Sequence, residues 1–221
     1  MNVTPNETRL ARLLAVLRKG LGHELPNQLV AVQGLARLLD LEEGGRLSAD
    51  GRGYLGRVAA GAARAHALVG ALAEVARLAV PEPAEAVDLA EVVAESIAGA
   101  KQLAVGRPAE YHATVPALAL PAPRPALCKV LVLLLRRAAA TRAAVGTRPT
   151  AAGVEIVVAG DAPAVPPEQA GRQFEPFVGP ESRGLDLFLA RELAEGWGGS
   201  VRYEPGDGAG TVFVVSCPLP V

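Results

Sequence analysis

The sequence predicts an α+β protein in which a long antiparallel helical hairpin is followed by an α/β sandwich. Apolar or small residues recur at steps of three and four, which is the spacing of one face of a helix. This repeat occurs twice, through residues 10, 14, 17, 21, 25, 29, 32, 35 and 39, and through residues 55, 58, 62, 65, 69, 72, 76 and 79. Beyond residue 83, short β-branched runs alternate with helical patterns, as expected of helices packed against one sheet.

The two long helices have clear sequence limits. The first is expected over residues 8–39 and ends at Asp40-Leu41-Glu42-Glu43-Gly44-Gly45, where a glycine can take the left-handed C-cap conformation. Ser48 is the expected N-cap of the second helix, because its hydroxyl can accept from a free amide of the first turn. That helix ends before Pro81-Glu82-Pro83, since proline cannot continue a helix.

A lone hairpin cannot cover both of its apolar stripes, whereas two hairpins cover them as a four-helix bundle. We therefore expect a homodimer formed through residues 8–80. The alternative is that the stripes pack on the second domain of the same chain. The prolines at the end of the hairpin mark the domain boundary, so domain 1 is expected over residues 1–80 and domain 2 over residues 81–221.

The second domain is expected to hold helices on one mixed sheet. Its helices are predicted at Asp88–Ala100, Ala126–Ala140 and Leu185–Glu195, with a stiff proline-rich loop at Pro121, Pro123 and Pro125. Strands are favoured where β-branched residues lie between turn residues. They are predicted within residues 111–120 and at Val154–Val158, Ser200–Tyr203 and Thr211–Cys217.

Composition excludes several classes of function. A formal net charge of −1 argues against binding to nucleic acid or to an anionic membrane. The two cysteines, Cys128 and Cys217, are far apart and indicate neither a disulfide framework nor a metal site. The N-terminus has no signal-peptide segment, and the uninterrupted apolar runs are too short to cross a bilayer. We expect a cytoplasmic protein without a membrane segment or a bound metal.

One stretch of the first helix carries the candidate chemistry, Leu21-Gly22-His23-Glu24-Leu25-Pro26-Asn27-Gln28-Leu29. A neutral imidazole is nucleophilic at physiological pH. A neighbouring carboxylate can hold the ring and stabilise the cation that forms on attack. His23, Glu24 and Asn27 therefore predict a phosphoryl-acceptor site. The other histidines, His66 and His112, are assigned to structure.

The domain order and two segments resemble the catalytic core of the bacterial sensor histidine kinases. The segments are His23-Glu24-Leu25 with Asn27 and Leu29, and the run from Phe174-Glu175-Pro176-Phe177 to Pro218. The resemblance covers residues 8–221 and implies a dimerisation and phosphotransfer hairpin before a Bergerat-type ATP domain. It implies that His23 is the phosphoacceptor and that Glu24 orients or deprotonates it. Asn27 would match the residue that, in some members, positions water to dephosphorylate a partner.

The hairpin departs from the family pattern at two positions. Pro26 stands where the family usually has Arg, and Gln28 stands where it usually has Pro. Pro26 has no N–H and its ring clashes with the carbonyl of Gly22, at a cost of roughly 3 kcal/mol in a regular helix. We therefore expect a kink at His23 that exposes its side chain.

The ATP pocket departs further. The family carries two Asn on one helix, the second of which is a ligand of Mg²⁺, and this sequence has Leu133 and Arg137 at those positions. Leucine has no oxygen to bind a hard cation, and an arginine repels one.

A second set of departures lies in the glycine-rich boxes. Gly160 aligns with the Asp that binds adenine, and Ala162 and Ala164 align with the two following glycines. Asp161 is one position late, so only a shift of register would bring it into the adenine site. Gly184 belongs to the phosphate-binding turn, and Asp186 replaces a glycine there, where its charge would repel phosphate oxygens.

These departures favour a histidine phosphotransferase without a nucleotide cofactor, which passes a phosphoryl group between receiver-domain Asp residues through His23. Response-regulator receiver domains are the expected partners. Glu24 and Asn27 also suit a receiver phosphatase. Two alternatives stay open: an active histidine kinase with a divergent pocket, which would need ATP and Mg²⁺, and a non-catalytic pseudokinase scaffold that binds a partner histidine kinase or regulator.

Overall fold

The computed structural model describes residues 16–77, 83–104, 108–151, 153–176, 178, 185–206 and 210–218. The chain divides into two compact units, one on each side of a junction near residue 80. We refer to the N-terminal unit as the hairpin unit and to the C-terminal one as the α/β unit. Of the two prolines expected to end the hairpin, Pro81 lies outside the described residues, as do residues 78–80 and Glu82.

The hairpin unit consists of two long helices. Residues 16–19 are helical, a π-helical turn follows at Gly20–Glu24, and helix α1 spans Leu25–Glu43. Helix α2 spans Ala49–Arg77. The Ser48 hydroxyl accepts from the amide of Gly51 at 3.0 Å, so Ser48 caps α2 as the sequence predicts.

The end of α1 differs from the prediction in two respects. The helix runs to Glu43 and not to residue 39, because its hydrogen-bond ladder continues with the Gly44 amide donating to the Asp40 carbonyl at 3.0 Å. Gly44 is right-handed, with φ −54° and ψ −33°, so the expected left-handed cap is absent there. A Cβ on Gly44 would lie 2.2 Å from the Asp40 carbonyl oxygen, and this close approach accounts for the glycine.

The hairpin buries little of its apolar surface within the described residues. Its buried hydrophobic residues are three alanines, Ala36, Ala62 and Ala73. Four large members of the predicted α1 stripe stay exposed, and we call them the bundle stripe: Leu25, Val32, Leu35 and Leu39. A leucine or valine gains about 1.5–3 kcal/mol from full burial, so most of the favourable burial available to this unit is not realised within one chain.

Helix α2 is also, among the described helices, the one that is long and apolar enough to cross a membrane by length and composition. Its alanines raise the mean hydropathy although no uninterrupted run of large apolar residues is present. This is weak evidence, because core helices of soluble proteins have the same property.

The α/β unit contains three long helices, one short helix and seven strands among its described residues. The helices are α3 (Leu89–Leu103), α4 (Arg124–Ala138), α5 (Pro167–Ala170) and α6 (Asp186–Gly196). The strands are β1 (Glu85–Asp88), β2 (Glu110–Ala113), β3 (Ala119–Ala122), β4 (Arg142–Thr150), β5 (Gly153–Gly160), β6 (Ser200–Pro205) and β7 (Thr211–Pro218).

Most predicted elements of this unit are present, with three differences. The region 111–120 supplies parts of two strands, β2 and β3, where one strand was expected. Strands β1 and β3 form a separate two-stranded antiparallel sheet. Pro121 lies within β3 and pairs with Ala86, so the proline-rich segment is partly strand. Proline is tolerated there because both strands of this sheet are edge strands. Strands β1 and β4 were not predicted.

Five strands form one sheet in the order β2-β4-β5-β7-β6. The pairing of β2 with β4 is parallel, and the other pairings in this sheet are antiparallel. Helices α3, α4 and α6 form the second layer, with α4 packed between the other two. The core lies between helices and sheet, where α4 buries nine residues and Phe213 of β7 contacts Phe174 and Tyr203 edge to face. This is the α+β sandwich that the sequence predicts.

Candidate functional site

The candidate phosphoacceptor, His23, lies in the π-helical turn Gly20–Glu24. The turn is closed by the Leu25 amide, which donates to the carbonyl of Gly20, five residues back. Pro26 explains this geometry, because it cannot donate to Gly22 and its ring would clash with that carbonyl in an α-helical turn. The helix thus departs from α geometry at the place the sequence indicates. Such π-turns are frequent at functional sites.

The three predicted reactive residues are all accessible. His23, Glu24 and Asn27 are exposed. Within the part of the chain that the structure describes, their side chains form no hydrogen bond or ion pair with another residue. The imidazole, the carboxylate and the amide are therefore free to meet a partner. The structure does not join His23 to Glu24 by a hydrogen bond, so the expected orienting contact stays a prediction.

A second exposed face of α1 begins beside His23. Asn27, Val30, Gly34, Leu38 and Leu41 repeat at steps of three and four, so they lie along one side of the helix. Val30, Leu38 and Leu41 are 53%, 52% and 74% exposed. We call these five residues the docking stripe. They lie on a different side of α1 from most of the bundle stripe, and the two uncovered apolar faces adjoin where Leu35 and Leu38 are three residues apart.

The helix expected to hold a metal ligand does not offer one at Leu133. This side chain, on α4, is 4% exposed and belongs to the core. Arg137, one turn later, is half-buried and engaged in an interaction with the rest of the chain. An apolar side chain and a guanidinium therefore occupy the two positions at which the resemblance implies Asn.

The end of β5 has no room for the carboxylate that binds adenine in the family. A Cβ on Gly160 would lie 2.2 Å from the carbonyl oxygen of Ala138, at the end of α4. That carbonyl also accepts from the amide of Ala162 at 2.8 Å. The last turn of α4 is therefore fixed against the residues after β5, and a side chain at position 160 would displace backbone.

The carboxylate of Asp161 already forms hydrogen bonds within the α/β unit. It accepts from the amides of Ala140, Thr141 and Arg142 at 2.8–3.2 Å and from the hydroxyl of Thr141. The Thr141 hydroxyl, followed by the amides of Arg142 and Thr141, holds the pKa of Asp161 well below its usual range. Asp161 fixes the turn between α4 and β4, so the shift of register that would bring it to adenine would break four hydrogen bonds.

The remaining predicted positions are placed as follows. Ala162 is buried and Ala164 is exposed. Asp186 lies in the first turn of α6 and is engaged in an interaction with the rest of the chain. Gly184 lies outside the described residues, as do residues 179–183 before it.

Thr211 is a polar residue of this region that sequence reasoning did not single out. Its hydroxyl is fully buried and lies 3.1 Å from the carbonyl oxygen of Ala162 and 3.0 Å from that of Pro163. The signal was present as a threonine between Gly210 and a β-branched strand. The hydroxyl donates to the chain's own backbone at the point where the glycine box would lie.

Comparison with known proteins agrees with this architecture. Residues 127–221 match the family described as histidine kinase-, DNA gyrase B-, and HSP90-like ATPase. No curated protein matches.

Two solved structures match over both units, and a third matches over 62% of the chain. Full-length ShkA in complex with AMPPNP has a TM-score of 0.68 at 25% identity, over 98% of this chain and 46% of that one. The Acinetobacter baumannii histidine kinase AdeS has a TM-score of 0.60 at 14% identity, over 90% of this chain and 98% of that one. The mycobacterial sensor histidine kinase MprB matches 62% of this chain and 100% of its own, at 23% identity and a TM-score of 0.53.

The chain thus spans about half the length of ShkA. The family match covers the α/β unit from residue 127 onward, and the structural matches to ShkA and AdeS extend over the hairpin. The chain therefore has the fold of a histidine kinase catalytic core, a helical hairpin followed by an α/β unit whose residues 127–221 match the histidine kinase-, DNA gyrase B-, and HSP90-like ATPase family.

Proposed function

We propose that this protein is a phosphorelay histidine phosphotransferase that carries a phosphoryl group on His23 between receiver-domain Asp residues. The observation that carries the proposal is a contrast. His23 is exposed in its π-turn, while Gly160, aligned with the adenine-binding Asp, is packed against the Ala138 carbonyl. In this proposal His23 is the acceptor, and the packing of Gly160 in the second domain leaves no space there for the carboxylate that binds the base of ATP in the family.

The proposed transfer needs only groups that the chain and a receiver supply. A ring nitrogen of His23 attacks the phosphorus of a receiver aspartyl phosphate. The N–P bond forms as the acyl O–P bond breaks, and the receiver carboxylate leaves with the bonding pair. Glu24 favours the cationic imidazole that results, because an anion nearby stabilises a positive charge. Reversal of the same step delivers the phosphoryl group to a second receiver.

The two faces of α1 suit two different partners. The bundle stripe is the surface that a second hairpin would cover in a homodimeric four-helix bundle. The docking stripe starts at Asn27, one turn from His23, and would contact a receiver whose phosphorylated Asp reaches the imidazole. Because His23 and Asn27 lie on the docking side of α1, a dimer formed through the bundle stripe would leave both acceptor sites accessible.

Phosphotransfer from a receiver tests the proposal directly. Receiver domains of the source organism are phosphorylated with labelled acetyl phosphate, freed of the reagent, and mixed with the purified protein. The expected result is acid-labile, base-stable label on the wild type and none on His23→Gln. The matched control is His66→Gln, which changes a histidine on α2 and should accept label normally. Failure of every receiver to label the wild type would contradict the proposal.

An active kinase with a divergent pocket is the second candidate. It is favoured by the family match over residues 127–221 and by the likeness to ShkA, a protein solved with AMPPNP. Incubation with γ-labelled ATP and Mg²⁺ separates the two candidates. Label at His23 from ATP would support the kinase; label only from receivers supports the phosphotransferase. A non-catalytic scaffold would keep its activity in cells after His23→Ala, whereas both catalytic readings require the imidazole.

A further inference from the structure

The face of the main sheet that is turned away from the helices contains a hollow at one end. Its volume is about 470 Å³, and it is lined by His112, Arg142, Ala143, Ala144, Ala159, Gly160, Asp161 and Gly210. A second hollow of about 580 Å³ adjoins it and shares Arg142 and Asp161. Volumes of this size are typical of small-molecule sites, which makes the hollow a candidate site distinct from the hairpin chemistry.

The strand register explains why the sheet is hollow here. His112 of β2 pairs with Ala144 of β4, and Ala144 pairs with Ala159 of β5. Because side chains alternate between the faces of a sheet, these three form one row on the outer face, with alanines at its centre. At the adjacent end of β7, a Cβ on Gly210 would lie 2.7 Å from the carbonyl oxygen of Gly160. The floor of the hollow is therefore formed by small residues, alanine and glycine.

The polar groups at the rim of the hollow differ in whether they already have hydrogen-bond or ion-pair partners. The carboxylate of Asp161 already accepts from three backbone amides and a hydroxyl, so its charge is compensated locally. The guanidinium of Arg142 and the imidazole of His112 form no hydrogen bond or ion pair with any other residue that the structure describes. Glu110 pairs with Arg142 across the strands but forms no ion pair with it. The unused groups at the rim of the first hollow are thus two donors.

The geometry points to a binding site for a small oxyanion ligand, a phosphate- or carboxylate-bearing molecule whose anionic group is held by Arg142 and His112. A guanidinium presents several N–H donors in a fixed fork that matches either group. The body of the ligand would lie on the floor of Ala144 and Ala159.

Titration followed by amide and side-chain NMR on the full chain tests this site. Two probes, inorganic phosphate and succinate, separate the phosphate and carboxylate sources. The expected result is a saturable shift for at least one probe at millimolar concentration, confined to His112, Arg142, Ala144, Ala159 and Gly210. Arg142→Gln and His112→Gln should each weaken binding about tenfold or more, with the spectrum of the folded protein otherwise retained.

Arg148→Gln is the matched control. Arg148 is an arginine of the same strand and the same sheet face, but it bonds Glu155 and Glu204, and its loss should leave binding unchanged. Three outcomes would overturn the site: no saturable shift with either probe, equal loss of binding in Arg148→Gln, or shifts spread over the arginines and lysines of the chain. Shifts that saturate at Arg137 and Asp186 instead would place the anion on the other side of the sheet and also overturn it.

Discussion

The hairpin unit and the α/β unit bury their apolar residues in opposite ways. Of the twelve large hydrophobic side chains that are exposed in the described residues, eleven belong to the hairpin. The fully buried large side chains, among them Phe213, Leu127 and Ile156, all belong to the α/β unit. One unit thus completes its core within a single chain, and the other leaves two apolar faces for partners.

The polar groups follow the same division. His23, Glu24 and Asn27 are exposed and unbonded among the described residues. In the α/β unit, the carboxylate of Asp161 and the hydroxyl of Thr211 are both bonded to the unit's own backbone. The predicted phosphoacceptor group is thus free on the incomplete unit, whereas Asp161 and Thr211 hold parts of the complete unit together. This difference predicts that substitutions in one unit act on assembly and transfer, and those in the other act on stability.

The largest effect is expected from breaking the bundle stripe. Val32→Glu combined with Leu39→Glu places two charges where a second hairpin would pack, and burying unpaired charges is prohibitively costly. We expect complete conversion of dimer to monomer in sedimentation analysis. Val30→Glu with Leu41→Glu, on the docking stripe, is the matched control: it should keep the dimer and lose receiver transfer. A monomeric wild type would refute this account of the bundle stripe.

Truncation in the core of the α/β unit should be the next largest effect. Leu131 is fully buried on α4, and Leu131→Ala leaves a cavity, so we expect a loss of about 2–5 kcal/mol in the free energy of unfolding. Leu41→Ala on the hairpin removes the same atoms from a side chain that is 74% exposed. This variant should change the free energy of unfolding by less than about 0.5 kcal/mol. Urea denaturation of each variant measures both. Equal losses of unfolding free energy in the two variants would contradict the contrast between the buried core of the α/β unit and the exposed side chains of the hairpin.

Glycines provide a finer comparison between the units. Gly160→Ala places a Cβ against the Ala138 carbonyl and should destabilise the α/β unit by about 1–3 kcal/mol. Gly56→Ala on α2 meets nothing within 4 Å and should stabilise its helix by about 0.5–1 kcal/mol. Thermal unfolding of the two variants decides the matter. A neutral Gly160→Ala would mean that a side chain, and hence a carboxylate, fits at this position after all.

The smallest expected effect is a pH dependence from Asp161. Because its pKa is held below the ordinary value of about 3.9, chiefly by the Thr141 hydroxyl, its stabilisation is present above that ordinary value. It is lost as the pH falls through the lower value of the folded state. The difference in melting temperature between the wild type and Asp161→Asn should therefore be greatest near neutral pH and shrink below about pH 4.

The sequence predicts features that depend on local pattern. The helical hairpin, the Ser48 cap, the strands β6 and β7 and the departure from α geometry near His23 all follow from periodicity or from the chemistry of one residue. Strands β1 and β4 were missed because their runs, Glu-Ala-Val-Asp and Arg-Ala-Ala-Val-Gly-Thr-Arg-Pro-Thr, are poor in large β-branched residues and depend on pairing with distant strands.

Some features of the candidate site could likewise be predicted from the sequence, and others could not. The resemblance predicts, from the sequence alone, departures from the family's ATP-binding residue types at Leu133, Gly160 and Asp186. The packing of Gly160 on the Ala138 carbonyl and the four hydrogen bonds of Asp161 could not be predicted, because both join residues about 20 positions apart. Because of the first contact, a side chain at position 160 has no space beside the Ala138 carbonyl.

Titration of the full chain with a non-hydrolysable ATP analogue and Mg²⁺, followed by calorimetry and NMR, tests the central claim most directly. If the α/β unit does not bind ATP and so cannot supply the phosphoryl group to His23, no saturable heat is released. The amides of Gly160, Ala162 and Asp186 then do not shift. Saturable binding with shifts at these residues and at Leu133 would contradict the claim, because it would return to this unit the nucleotide pocket that an autokinase requires.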